Sequence, residues 1–215
     1  MSAEDHTDNT ITVIGTGRAD AVPDLLLVSL AVVGGGADVA EALDAASAST
    51  AAVAQSLSAA GVAPVDVATA DLSVNQRWGE KNRVTGYDCL QSLSVVLRDL
   101  AASGRILREV ATAAGSALRV DSVSRSISEP GAAQAAARTE AFAEASAKAE
   151  QLAELAGRRL GAILSIDETA GGGPHPVMRN AAKAVALGSG ARDVPIEAGS
   201  QRLETSLLVR WTLVG

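Results

Sequence analysis

Two spacings of apolar residues run through this chain, one close to the period of a helix and one alternating like a strand. The longest regular stretch is EPGAAQAAARTEAFAEASAKAEQLAELAGRRLG, from Glu129 to Gly161, and its spacing predicts one long helix over about 131–157. Phe142, Ala145, Ala149, Leu152 and Ala156 recur on one stripe, while Glu140, Glu144, Lys148, Glu150 and Glu154 lie mainly off it. Ser128 or Glu129 can cap its start, Pro130 suits the first turn, and Gly157 suits the left-handed residue that ends a helix. Because the stripe is mostly alanine, this helix can lie very close to whatever it covers, which we read as a sheet.

The remaining pattern is strand-rich. Ile11 to Thr16 and Leu25 to Val33 read as strands joined through GTGRADAVPD, which suggests a hairpin. Apolar residues on both sides of the second strand suggest burial on two faces, and Gly34 to Gly36 should stop it. A helix follows from about Val39 to Ala60, with Asp38 as its cap and Gly61 at its end. Its outward face is Ser and Ala, which fits either an alanine-rich composition or a subunit contact. Val65 to Trp78 and Val84 to Leu97 read as strands linked by GEKNR, then come a helix from about Leu100 to Ala114, a strand from Val120 to Ser128 and, after the long helix, a short one from Ala162 to Ile166. From Thr169 to Ser200 regularity fails, with only a short Ala-rich middle, Val177 to Leu187, able to form a brief helix. A connection of that length is uncommon without a purpose. Leu203 to Val214 is the last strand, with Leu207, Val209, Trp211 and Leu213 on one face.

Four stretches together resemble the SIMPL-domain family, which includes periplasmic immunogenic and oxidative-stress-defence proteins. They are ITVIGTGRADAVPD (Ile11 to Asp24), VTGYDCLQSLSVVLRDL (Val84 to Leu100), the Ala-rich helix running on to SIDE (Ala137 to Glu168), and the final strand after PIEAG (Pro195 to Gly199). The resemblance spans about residues 10 to 214. It implies an α+β fold, a mixed and largely antiparallel sheet with helices 39–60, 100–114 and 131–157 packed across it. It also implies a non-enzymatic scaffold acting as a homo-oligomer, a ring or cage among the options, connected in related proteins with tolerance of oxidative stress. On this reading residues 1–9 are a polar tail and residues 10–215 one domain, with a long irregular loop at 169–200.

Composition narrows the functions. With 2% aromatic residues, the core of this 215-residue chain must be built from Val, Leu, Ile and Ala. The net charge of −7, without any Lys/Arg run, argues against a nucleic-acid partner. The opening MSAEDHTDNT is acidic and polar where a signal peptide needs a basic end and an apolar run, so a cytoplasmic chain is expected. No stretch approaches the ~18 apolar residues of a membrane span.

Candidate chemistry is sparse. His6 and His175 are the only histidines, and no His, Cys, Asp and Glu cluster has metal-ligand spacing, so no metal or cofactor is expected. Cys89 sits mid-strand and reads as a small buried hydrophobe. Gly15-Thr16-Gly17 lacks the third glycine and the following helix of a dinucleotide loop. No catalytic residue is assigned. The candidate interface is Trp78 at a hairpin tip with Val177, Met178, Val185 and Leu187 in the long loop, apolar groups in polar surroundings. Two alternatives stay open: the loop folds back on its own sheet while Trp78 covers the sheet edge, or a pocket under the 169–200 loop takes a small ligand or substrate.

Overall fold

The structure is a computed structural model, and it describes residues 9–169, 175–176 and 199–215. In chain order the elements are β1 (Thr10–Ala21), β2 (Leu25–Gly36), α1 (Val39–Ala59), β3 (Val67–Trp78), β4 (Val84–Leu97), α2 (Leu100–Ala114), β5 (Leu118–Ser126), α3 (Gly131–Leu155), β6 (Arg159–Thr169), β7 (His175–Pro176) and β8 (Gln201–Val214). The fold is α+β, with three α-helices and antiparallel strands among the described residues. The strands divide between two sheets where the pattern suggested one. The sheets belong to two compact units, which are described separately.

In the first unit β8 lies between β1 and β6, and the short β7 pairs with the start of β8. Val13, Leu207, Val209 and Trp211 alternate onto one face, and α3 covers them with Ala141, Ala145 and Ala149. The buried row of α3 is Ala137, Ala141, Ala145, Ala149 and Ala153. That differs from the expected stripe, whose Phe142 and Leu152 are 36% and 47% exposed. The physical reason lies in β1: a Cβ on Gly15 would overlap the Ala141 carbonyl, and one on Gly17 the Ala137 carbonyl, so only the smallest face of the helix fits there.

Those glycines therefore serve close approach, and β1 runs straight through them to Ala21. No hairpin forms between β1 and β2, since β1 pairs with β8 while β2 pairs with β4 and β5. The helix also starts differently from expectation. Pro130 is its cap residue, without a side-chain bond, and Ser128 instead donates its N–H and hydroxyl to Asp24 in the second unit. At the other end Gly157, with φ +66°, closes the helix as expected, the Gly157 and Arg158 N–H groups donating to the Glu154 and Ala153 carbonyls.

The second unit has strand order β3-β4-β2-β5. One face carries its core: Leu26, Val28, Leu30 and Val32 of β2, with Leu93, Val95 and Leu97 of β4, pack on Val53 and Leu57 of α1 and Ile106 and Val110 of α2. Gly34 and Gly36 do not stop β2. They extend it beneath α1, where a Cβ would overlap the backbone of Ala42 and Ala46. The two-face burial expected for β2 is met on the second side only at Ala31, which is fully buried, because Leu27 and Val33 there are each more than a third exposed. Asp38 caps α1 as expected, accepting from Glu41 N–H, and Asp99 caps α2 in the same way, accepting from Ala102 N–H.

Candidate functional site

Helix and sheet widths do not match in either unit. A helix with its side chains is about 10 Å across and strands lie about 4.8 Å apart, so one helix covers roughly two strands. In the first unit α3 lies over β1 and β8 and barely reaches β6. Ile163 and Ile166 of β6 pair with Trp211 and Val209 and so share the helix-side face, yet they are 44% and 51% exposed. In the second unit α1 and α2 cover the central strands, leaving Leu72 of β3 and Val120 and Val123 of β5 open. The uncovered flanks are the candidate site.

Trp78 stands at the end of β3 opposite Val84, with 56% of its surface exposed. The tip that presents it is closed: Gly79 N–H donates to the Arg83 carbonyl at 2.9 Å and the Thr85 hydroxyl to the Arg77 carbonyl at 3.1 Å. Lys81 and Asn82 make the turn with φ of +61° and +55°. Behind it the Arg77 guanidinium pairs with Asp88 across Gly35 and holds that carboxyl below the usual carboxylate range. Trp78 is thus more than half exposed beside a hydrogen-bonded turn. Val177, Met178, Val185 and Leu187, and the pocket expected beneath their loop, lie outside the described residues.

One arrangement escaped the sequence reading. Along the edge of β1 that no strand among the described residues pairs with, α3 supplies the missing partners: Glu144 accepts from the Thr16 N–H and hydroxyl, Glu140 accepts from Arg18 N–H at 2.7 Å, and Lys148 donates to the Ile14 carbonyl at 3.3 Å. The Thr16 N–H, then Lys148 and the Thr16 hydroxyl, bring the Glu144 carboxyl down to about 2. In the sequence Glu144 and Lys148 look like a solvent-side i,i+4 pair. The signal that could have placed them is G-x-G in a strand opposite an alanine row, since only that approach brings their side chains to the strand edge.

Other chemistry is quiet. Cys89 is fully buried beside Ala42 and Ala46. Among the described residues no group of three His, Cys, Asp or Glu could hold a metal, and no helix is long and apolar enough to cross a membrane. A cavity of about 450 Å³ lies where α1 leads into β3, lined by Val62, Val65, Leu97, Ala102 and Ile106. Its rim pairs Asp66 with Arg98 through two bonds of 2.8 and 2.7 Å, and Arg98 lowers the Asp66 pKa.

Comparison with known proteins finds relatives along nearly the whole chain. The chain is similar to the 26 kDa periplasmic immunogenic proteins of Brucella melitensis biotype 1 and Brucella abortus strain S19, 30% identical to each over 93% of this chain and 82% of the relative. Both relatives are named as periplasmic, which points to export and overturns the expectation of a cytoplasmic chain. The polar first ten residues on which that expectation stood do not by themselves report the compartment. The profile of the SIMPL family, described as a protein of unknown function (DUF541), matches residues 11–211, across both units, and the chain belongs to that family.

Proposed function

We propose that this chain is a non-enzymatic interaction protein that works outside the cytoplasm by assembling with copies of itself. The observation that carries the reading is the surplus of sheet over helix: β3, β5 and β6 leave Leu72, Val120, Val123, Ile163 and Ile166 open, and Trp78 stands exposed at the end of β3. Apolar strand residues left bare at sheet flanks mark contact surfaces, and Trp concentrates binding energy where it is covered. The acids with lowered pKa are committed to structural partners, Asp24 to Ser128, Asp66 to Arg98, Asp88 to Arg77 and Glu144 to Thr16, which supports a scaffold over a catalyst. A ring or cage and a part in oxidative-stress tolerance belong to the same proposal, on the strength of the family resemblance.

Mass in solution tests it. Light scattering on the full chain at micromolar concentration should give a defined multiple of 21.6 kDa, and Trp78→Ser should reduce that multiple while the fold persists. A monomer across the accessible concentration range would end the reading. The cavity near Val62 favours a second one, binding of a small ligand, because its volume falls within the roughly 300–1,000 Å³ of ligand sites. Saturable quenching or thermal stabilisation by small apolar probes, lost in Ala102→Phe, would support that alternative.

A further inference from the structure

The two edges of the first unit's sheet are finished differently. On β1, Glu140, Glu144 and Lys148 occupy the Arg18 N–H, the Thr16 N–H and the Ile14 carbonyl, so no further strand can add there. On β6, no strand pairs with the outer edge among the described residues. We propose that a second copy of this chain occupies it: two β6 strands pair antiparallel about a two-fold axis through Ile163. The proposal rests on the self-association reading and names the surface.

The strand is self-complementary about that residue. A two-fold at Ile163 sets Arg159 opposite Asp167, Leu160 opposite Ile166, and Gly161 opposite Ser165, with Ile163 facing its own copy. Residues opposite one another in a ladder share a face, and here they do. Leu160, Ile163 and Ile166 pair with Leu213, Trp211 and Val209 on the α3 side, whereas Arg159 and Asp167 pair with Val214 and Leu208 on the other. Neither Arg159 nor Asp167 has an ion-pair partner among the described residues, so each is free for the other copy.

The irregularities of β6 fit the same axis. Its register shifts between Leu160 and Ile163 and again between Ile163 and Ser165, one on each side of the proposed centre. Bulges disfavour pairing with a regular strand. Under the two-fold, however, the irregular segment of one copy faces that of the other, so the same feature selects a second copy over a foreign strand. The edges of the second unit lack this match, since Arg77 of β3 is paired with Asp88 and Arg119 of β5 with Asp121.

Cross-linking on the full-length chain tests the axis. Cβ atoms of directly opposed residues lie about 5 Å apart, close to disulfide range, so Ile163→Cys should form a covalent dimer under mild oxidation at micromolar concentration. The buried Cys89 does not compete, and Val65→Cys, in an exposed turn, should stay uncross-linked under the same conditions. Arg159→Asp and Asp167→Arg should each weaken dimerisation about tenfold, and the double exchange should restore it. If the parent assembles but Ile163→Cys cross-links no faster than Val65→Cys and the double exchange restores nothing, the axis through Ile163 is wrong and self-association stands on another surface. If the parent is monomeric throughout, both fail together.

Discussion

The two units join helix to strand by the same device and then build the rest of their cores from opposite materials. In each, a pair of glycines in one strand, Gly15 and Gly17 or Gly34 and Gly36, meets alanines of one helix closely enough that an added Cβ would overlap helix backbone. Beyond that joint the second unit packs Leu26, Leu30, Leu57 and Leu97 between a sheet and two helices. The first unit continues with alanine: every buried residue of α3 is Ala, and bulk comes mainly from β8 through Leu207, Val209 and Trp211. Small contacts bury little area each, so the first unit depends on closeness and on the polar bonds it permits at the β1 edge. The second depends on buried volume. At the glycine joints both should fail on enlargement, whereas away from them truncation should cost the second unit far more than the first.

The two tryptophans allow this contrast to be measured in one chain, because Trp211 lies in the first unit and Trp78 in the second. The largest effect should come from Gly17→Val. Its side chain would enter the backbone of Ala137 and Ala141, and overpacking against backbone that cannot yield places the loss at about 3 kcal/mol or more. Urea unfolding followed at Trp211 should show it, with the transition at Trp78 much less changed. An unchanged Trp211 midpoint would mean that close approach is not what holds α3.

Next in size is Leu30→Ala, which empties a site that is 1% exposed and should destabilise the second unit by about 2–5 kcal/mol. The matched truncation in the first unit, Ala145→Gly, removes one methyl and should cost about 1 kcal/mol, chiefly helix propensity. Equal losses from the two truncations would erase the distinction between the units.

What the sequence disclosed follows from the same contrast. Leu207, Val209 and Trp211 were legible as one face of β8 because large residues alternate there, and Gly61 and Gly157 were legible as helix ends because each stands just past a periodic run. The alanine row of α3 was not, since Phe142 and Leu152 outweigh it in any hydrophobic count although they face outward. Gly15 and Gly17 resembled a turn for a related reason: spacing alone does not separate a glycine that bends the chain from one that admits a neighbour. The bare flanks were invisible for a different reason, being set by how many strands one helix can cover. Trp78 alone of the candidate interface could be placed, and its exposure agrees with its position beside Gly79.

A smaller effect separates the helix starts. Asp38→Ala and Asp99→Ala should each destabilise the second unit by about 1 kcal/mol, through the Glu41 and Ala102 N–H groups they leave unpaired. α3 has no side-chain cap, so Ser128→Ala should leave its helicity intact and act on the second unit instead, by loosening the Asp24 bonds. Circular dichroism beside the two fluorescence transitions would resolve this, and a loss of helix signal in Ser128→Ala at an unchanged Trp78 midpoint would contradict it.

The finest test concerns the polar seam that closeness creates. Glu144 has its carboxyl lowered from 4.5 to about 2 in the folded chain, first by the Thr16 N–H. With the folded value below the unfolded one, its contribution is fully present above about pH 4.5 and disappears as the pH falls toward 2, because the unfolded chain takes up the proton first. Asp24, Asp66 and Asp88, lowered by Ser128, Arg98 and Arg77, give the second unit an acid sensitivity of its own. In Glu144→Gln the amide oxygen can still accept from Thr16 but no longer titrates. The urea midpoint read at Trp211 should therefore fall less steeply between pH 4.5 and 2 than in the parent, while the midpoint read at Trp78 keeps the parent's pH dependence. If the Trp211 curve of Glu144→Gln follows the parent through that window, the carboxylate on the β1 edge is a bystander, and the first unit is held by its glycine–alanine contact alone.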